Sequence, residues 1–116
     1  MRHHNVVRKF GRKTDQRRAL MRSLAENLIT HGKIVTTEAK AKSLRPFMEK
    51  LVSRGRSESL ADKRILISRL GSAVIVKKMV DEISKKYKER KGGYTRIIKL
   101  GQRMGDASPM ALIEFV

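Results

Sequence analysis

Residues 92–116 read GGYTRIIKLGQRMGDASPMALIEFV, and this stretch decides the fold class. Tyr94 to Leu100 mixes β-branched and aromatic residues with polar ones, while Met110 to Val116 is nearly all apolar. Both patterns are typical of β-strands. Between them, Gly101 to Pro109 contains Gly, Asp, Ser and Pro, which favour a hairpin loop. The sequence therefore predicts that the chain ends in two strands joined by a turn.

Helical patterns dominate the chain before these strands. Leu20, Leu24 and Leu28 recur every four residues, which predicts an amphipathic helix. Thr14 is suited to cap the start of this helix, and His31-Gly32 is suited to end it. A short β-branched run, Ile34 to Thr37, follows and predicts a further strand.

Three more helices are expected after that strand. The first begins near Thr37 or Glu38 and ends at Gly55, and a kink or a break is expected at Pro46 because proline removes a backbone hydrogen bond. The second opens at Ser59-Leu60-Ala61-Asp62, which resembles a capping box.

Gly71 stops the second of these helices, and Ser72 can cap a third. We expect that last helix to run through Lys85 to Lys91 and to end at Gly92-Gly93. The predicted fold class is α+β: a single two-layer domain with about four helices packed on a small mixed three-stranded sheet. Residues 1–13 are predicted to form an extended basic N-terminal arm, and residues 14–116 the single domain.

The charge is concentrated in two stretches. The 116 residues carry 28 Lys and Arg against 11 Asp and Glu, a formal net charge of +17. Residues 1–22 hold eight basic residues against one acidic residue, and residues 85–103 hold the same numbers. Because carboxylates are nearly absent from both stretches, ordinary surface ion pairing does not explain them, and contact with a nucleic acid is favoured.

Other partners and chemistries fit poorly. A membrane-bound basic helix would need bulky apolar anchors, but the chain has no Trp and only 4% aromatic residues. The absence of Cys excludes disulfides and thiolate zinc sites. His3, His4 and His31 show no metal-binding spacing, and no serine lies in a nucleophile motif. We therefore expect no metal, no cofactor, no small-molecule substrate, no membrane association and no enzymatic activity.

Lys91-Gly92-Gly93-Tyr94-Thr95-Arg96 combines a flexible backbone, an aromatic ring and two cations. RNA-binding surfaces use these components, because aromatic rings stack on bases and cations contact phosphates. For Tyr94, the alternative is a strand residue that packs in the core. A DNA-binding protein and a small enzyme acting on nucleic acid are competing hypotheses, but no recognition helix with regular base-reading residues is evident.

Several segments together resemble the bacterial large-subunit ribosomal protein L-seventeen family. The most specific are Gly92 to Ile97, Lys99 to Gly101, Gly105-Asp106 and Pro109 to Ala111, together with Arg103. The opening Met1-Arg2-His3, the stretch Arg8 to Arg12 and the segment from Thr36 to Arg45 also look like that family, so the resemblance covers essentially the whole chain.

The resemblance implies an α+β structural protein of the 50S subunit that binds 23S ribosomal RNA, with its basic arm inserted among RNA helices. It also implies neighbouring ribosomal proteins near the nascent-chain exit region, a ribosome-bound cytoplasmic location, and no catalysis or cofactor. The residues expected to contact RNA are Arg2, His3, His4, Arg8, Lys9, Arg12, Lys13, Arg17, Arg18, Arg22, Lys91, Gly92, Gly93, Tyr94, Arg96, Lys99 and Arg103.

Overall fold

A computed structural model describes residues 10–11, 13–57 and 59–116 of the chain. In chain order its elements are α1 (Thr14–His31), β1 (Lys33–Thr37), α2 (Glu38–Gly55), α3 (Leu60–Leu70), α4 (Ala73–Lys78) with a π-helical continuation (Met79–Ser84), β2 (Thr95–Gln102) and β3 (Pro109–Phe115). Most of the predicted arm lies outside the described residues, so the arm remains a prediction.

The three strands form one sheet in the order β1-β3-β2, with β3 in the centre. Both pairings are antiparallel, so the α+β class is confirmed but the sheet is not mixed. The hairpin makes β2 and β3 antiparallel, and α1 delivers the start of β1 to the end of β3, where Lys33 pairs with Glu114. A hydrogen bond of 3.2 Å from the Phe115 amide to the Gly32 carbonyl stabilises this junction between the α1–β1 connection and the end of β3.

The helices cover one face of the sheet, and the core lies between the two layers. Ala111 and Ile113 of β3 are fully buried on this face, and Thr95 and Thr36 flank them on the neighbouring strands. The helices contribute the remaining core residues, among them Leu28, Leu44 and Met79. On the opposite face Val35 and Ile98 are 58% and 43% exposed, as the alternation of side chains along a strand requires.

Local capping signals set most helix ends as predicted. The side chains of Thr37, Ser59 and Ser72 accept hydrogen bonds from backbone amides at the starts of α2, α3 and α4. Gly32 and Gly71 end α1 and α3 with positive φ angles. The prediction was wrong at the start of α1, where Lys13 is the N-cap and makes no side-chain capping hydrogen bond.

Pro46 does not break α2, which is a single helix from Glu38 to Gly55. The proline is exposed, whereas Leu44, Met48 and Leu51 are buried on either side of it along the helix. Burial of this apolar face on both sides of Pro46 keeps the two halves in one helix despite the lost hydrogen bond.

The last helix ends earlier than expected. Its α-helical part stops at Lys78, the π-helical turn stops at Ser84, and residues 85–89 form turns. The wider π turn places Ile83 and Ser84 in the core, where Ser84 Oγ donates to the Val52 carbonyl at 3.2 Å. Five cations crowd the next seven residues, and their mutual repulsion disfavours further helix.

Candidate nucleic-acid interface

The described part of the chain contains eleven of the seventeen residues predicted to contact RNA. Those that lie outside it are Arg2, His3, His4, Arg8, Lys9 and Arg12. The remaining residues fall into two groups, one at the N-terminal half of α1 and one between residues 91 and 103.

The first group lies on one side of α1. Lys13 is exposed at the helix start, and Arg18 and Arg22 are exposed along the first three turns. Arg17 donates from Nη2 to the Thr14 hydroxyl at 3.2 Å. These cations sit near the positive end of the α1 dipole, where they gain nothing from the helix itself, so their positions are not explained by helix stability.

The second group begins at a turn made by Gly92 and Gly93, both with positive φ. Tyr94, which follows the turn, is fully buried. Its hydroxyl donates to the Arg90 carbonyl at 3.1 Å and accepts from Arg56 Nη1 at 3.0 Å. Since its single proton goes to Arg90, the Ser53 hydroxyl 3.0 Å away acts as donor. Burial favours the packing alternative for Tyr94 over stacking on a base.

The environment of Tyr94 also shifts its acidity. Burial raises the pKa of the phenol, but the hydrogen bonds from Ser53, the Gly92 backbone and the Arg56 guanidinium together outweigh burial. The net pKa lies below the ordinary tyrosine value. The hydroxyl is thus held by polar partners of its own chain, which fix the turn that carries Lys91.

Folding brings carboxylates to three cations of the second group. Arg96 Nε lies 2.6 Å from Glu114 Oε1 across the β2–β3 pair, and Lys99 Nζ lies 3.6 Å from Glu38 Oε1. In the hairpin, Arg103 lowers the pKa of Asp106 by donating two hydrogen bonds to its carboxylate.

All three cations nevertheless remain substantially exposed, with side-chain exposures of 58%, 73% and 49% for Arg96, Lys99 and Arg103. Arg96 and Lys99 lie on β2, an edge strand of the sheet, and Arg103 follows directly after the strand ends at Gln102. Charged side chains on an edge strand also prevent pairing with another sheet, so this arrangement has a structural use besides anion contact.

Further cations line a groove between α1, α2 and α3. The volume of this groove is about 880 Å³. The described residues that line it include six cations and no carboxylate: Arg17, Arg18, Arg22, Lys42, Lys50 and Arg69. Its other described lining residues are Phe10, Thr14, Met21, Ser43, Pro46, Phe47 and Ser68.

Lys42, Lys50 and Arg69 were missed by the sequence reasoning because they lie in a stretch with nearly balanced charge. Helical periodicity nevertheless indicates two of them. Lys42, Pro46 and Lys50 are spaced by four residues and so share one face of α2. Only tertiary packing brings Arg69 of α3 to that face.

The described residues contain no group of three or more His, Asp or Glu side chains that could hold a metal ion. Among them, too, no helix is long and apolar enough to cross a membrane. The groups that the described surface offers for binding a ligand are mainly the positively charged side chains of Lys and Arg.

Comparison with known proteins identifies the family. The model of the family described as "Ribosomal protein L17" matches residues 20–116. The chain belongs to the ribosomal protein L17 family. Among the similar proteins is a "Large ribosomal subunit protein bL17" from Azorhizobium caulinodans, 52% identical over 116 residues that make up all of this chain and 84% of that protein.

Other members of the L17 family show comparable similarity. The bL17 protein of Thermoanaerobacter sp. (strain X514) is 47% identical over 109 residues, covering 94% of this chain and 97% of that protein. The bL17 protein of Neorickettsia sennetsu is 44% identical over 117 residues and is covered completely, as is this chain. The chain is therefore a ribosomal protein of the large subunit, in a family of structural ribosomal proteins rather than enzymes.

Proposed function

We propose that this L17 family protein binds 23S ribosomal RNA through its basic N-terminal arm and through the segment of residues 91–103, and so supports assembly of the 50S subunit and translation in the cytoplasm. On this proposal the arm inserts among RNA helices, and the domain lies beside other ribosomal proteins near the nascent-chain exit region.

The observation that carries the proposal is the excess of 17 positive charges in a member of a ribosomal family. Fourteen of these net charges belong to residues 1–22 and 85–103. Each Lys or Arg that contacts a phosphate releases condensed counterions, which makes RNA a favourable partner for such stretches. The exposure of Lys91, Arg96, Lys99 and Arg103 supports the second contact segment.

The test measures binding of the full chain to deproteinised 23S ribosomal RNA across a salt series. The variant Arg2→Ala/Arg8→Ala/Arg12→Ala removes three cations from the arm. If they contact phosphates, the slope of log K against log salt becomes shallower by about 2 to 3 units. Duplex DNA of the same nucleotide length serves as competitor, and weaker competition by DNA is expected.

A matched control variant removes three exposed cations outside both stretches, Lys63→Ala/Arg64→Ala/Lys77→Ala. The control should retain most of the affinity and the slope of the parent chain. Equal slopes for the arm variant and the parent would overturn the arm assignment, and a preference for DNA would overturn the RNA assignment. Retention on large subunits after a high-salt wash tests the assembled state.

A further inference from the structure

We propose that the groove between α1, α2 and α3 is an additional RNA-contact surface that holds a segment of ribosomal RNA backbone. The inference rests on the proposed function and deepens it, because it adds Lys42, Lys50 and Arg69 to the contact residues. It also joins the cations of α1 to those of α2 and α3, and Lys42 of this surface shares one carboxylate oxygen of Glu38 with Lys99 of β2, at 2.8 and 3.6 Å.

The charge of the groove is the first support. None of its described lining residues is acidic. Lys42 has an ion pair with Glu38 at 2.8 Å, but Glu38 does not line the groove. Within the described part of the chain, no carboxylate lies within 4.0 Å of the side-chain nitrogens of Arg18, Lys50 or Arg69. Cations gathered in this way repel one another unless a polyanion joins them.

The position of Arg22 is the second support. Its Nε donates to the Arg69 carbonyl at 3.2 Å, across 47 residues of sequence. That carbonyl belongs to the C-terminal turn of α3, where carbonyls lack helical partners. A methyl group at Gly71 would lie 3.1 Å from Arg22 Nη1, so glycine leaves room for the guanidinium. Arg22 is thus held in place before any ligand binds, which reduces the entropy lost on binding.

The apolar residues of the groove are the third support. Phe10, Met21 and Phe47 are partly buried and line it together with the exposed Pro46. Partly exposed aromatic rings beside cations suit RNA, since rings can pack on bases or sugars while cations meet phosphates.

The neighbouring depression marks where this surface ends. It shares Phe47, Lys50 and Arg69 with the groove but also contains Glu49 and Asp62, and Asp62 pairs with Arg54 at 3.1 Å. Carboxylates there would repel phosphates. The surface suited to RNA therefore runs from α1 to Lys50 and Arg69 and stops there.

The test uses the full-length variant Lys50→Ala/Arg69→Ala. Both residues are exposed, and the substitution keeps the Arg69 carbonyl that Arg22 needs, so the fold should persist. Loss of two phosphate contacts should weaken binding to deproteinised 23S ribosomal RNA about tenfold or more at about 0.1 M salt, and should lower the salt slope by about 1 to 2 units.

The variant Lys63→Ala/Arg64→Ala is the matched control, since it removes two exposed cations from α3 outside the groove. Equal binding of RNA by the groove variant and this control would overturn the inference while the proposed function stands. If the groove variant bound naked RNA normally but was lost from washed large subunits, the groove would hold a protein segment, which also overturns it. If the parent chain itself failed to bind 23S RNA, both proposals would fall.

Discussion

At the scale of single residues, the hydroxyl of Tyr94 joins the end of α2 to the segment that precedes β2. It bonds to Arg56 and Ser53 near the end of α2 and to the Arg90 carbonyl before the Gly92-Gly93 turn. Arg56 also donates from Nη2 to the Lys88 carbonyl at 3.0 Å, so one guanidinium fastens the turn to the helix. The network fixes the backbone on both sides of Lys91 and occupies the Tyr94 hydroxyl with partners from its own chain.

The variant Tyr94→Phe should therefore lose stability and keep its RNA affinity. Removing the hydroxyl leaves the Arg56 guanidinium and the Arg90 carbonyl without this partner, at a cost of about 1–3 kcal/mol in the free energy of unfolding. Urea denaturation measures that cost. Binding of 23S RNA, measured below the unfolding transition, should change less than twofold. A large loss of affinity in a variant of unchanged stability would mean that the phenol reaches RNA.

Sequence reasoning is weakest for individual surface cations. Residues 85–103 contain only one acidic residue. The fold nevertheless pairs Arg96 with Glu114 and Lys99 with Glu38. Arg103 pairs with Asp106, which lies just beyond this stretch. Counting charges along the chain cannot anticipate carboxylates that arrive from another strand or helix. It does identify stretches of the chain in which positive charge exceeds negative charge.

At the scale of elements, the contact between the end of α2 and the π-helical turn has little spare room. A methyl group at Gly55 would lie 2.5 Å from Ser84 Oγ and 3.3 Å from Met79 Cε. Ser84 cannot move away easily, since it is 1% exposed and its hydroxyl donates to the Val52 carbonyl. The close packing of these two elements depends on glycine at this position.

Gly55→Ala should lower the free energy of unfolding by about 1–2 kcal/mol, because overpacking outweighs the better helix propensity of alanine. A double-mutant cycle with Ser84→Ala isolates the contact, since the second change removes the oxygen that the methyl group meets. The double variant should be more stable than the sum of the single effects predicts. Strict additivity in urea denaturation would show that the 2.5 Å contact does not cause the loss.

Elements whose limits depend on local chemistry could be predicted, and those that depend on packing could not. The side chains of Thr37, Ser59 and Ser72 cap helices by accepting hydrogen bonds from backbone amides three residues further along the chain. Gly71 ends α3 by adopting a positive φ angle. The continuity of α2 through Pro46 and the π-helical turn at the end of the last helix instead reflect burial against distant residues. The amino-acid sequence within either segment does not indicate that burial.

At the scale of the whole molecule, local patterns likewise predict the strands and the cations, but not how the fold arranges them in the sheet and the groove. The strand patterns predicted three strands, but the central place of β3 follows from how α1 delivers β1 to its edge. The groove likewise needs three helices to meet before its cations share one surface. Composition predicted a polyanionic partner, and only the fold shows where the positive charge gathers.

The net charge of +17 leads to opposite salt effects on stability and on RNA binding. In the protein alone, repulsion among 28 basic residues opposes folding, and the Debye length falls from about 10 Å at 0.1 M to about 3 Å at 1 M salt. Screening also weakens the ion pairs, but exposed pairs contribute only about 0–1 kcal/mol each. Relief of repulsion should therefore dominate.

Raising NaCl over this range should increase the free energy of unfolding of the protein alone by on the order of 1 kcal/mol, while affinity for 23S RNA falls steeply. Urea denaturation and RNA binding in one NaCl series measure both effects. NaCl is preferred to sulfate salts, because sulfate strengthens apolar burial and would raise stability for an unrelated reason. A stability that falls with NaCl would show that ion pairs outweigh repulsion, and that this fold does not need a polyanion to relieve its charge.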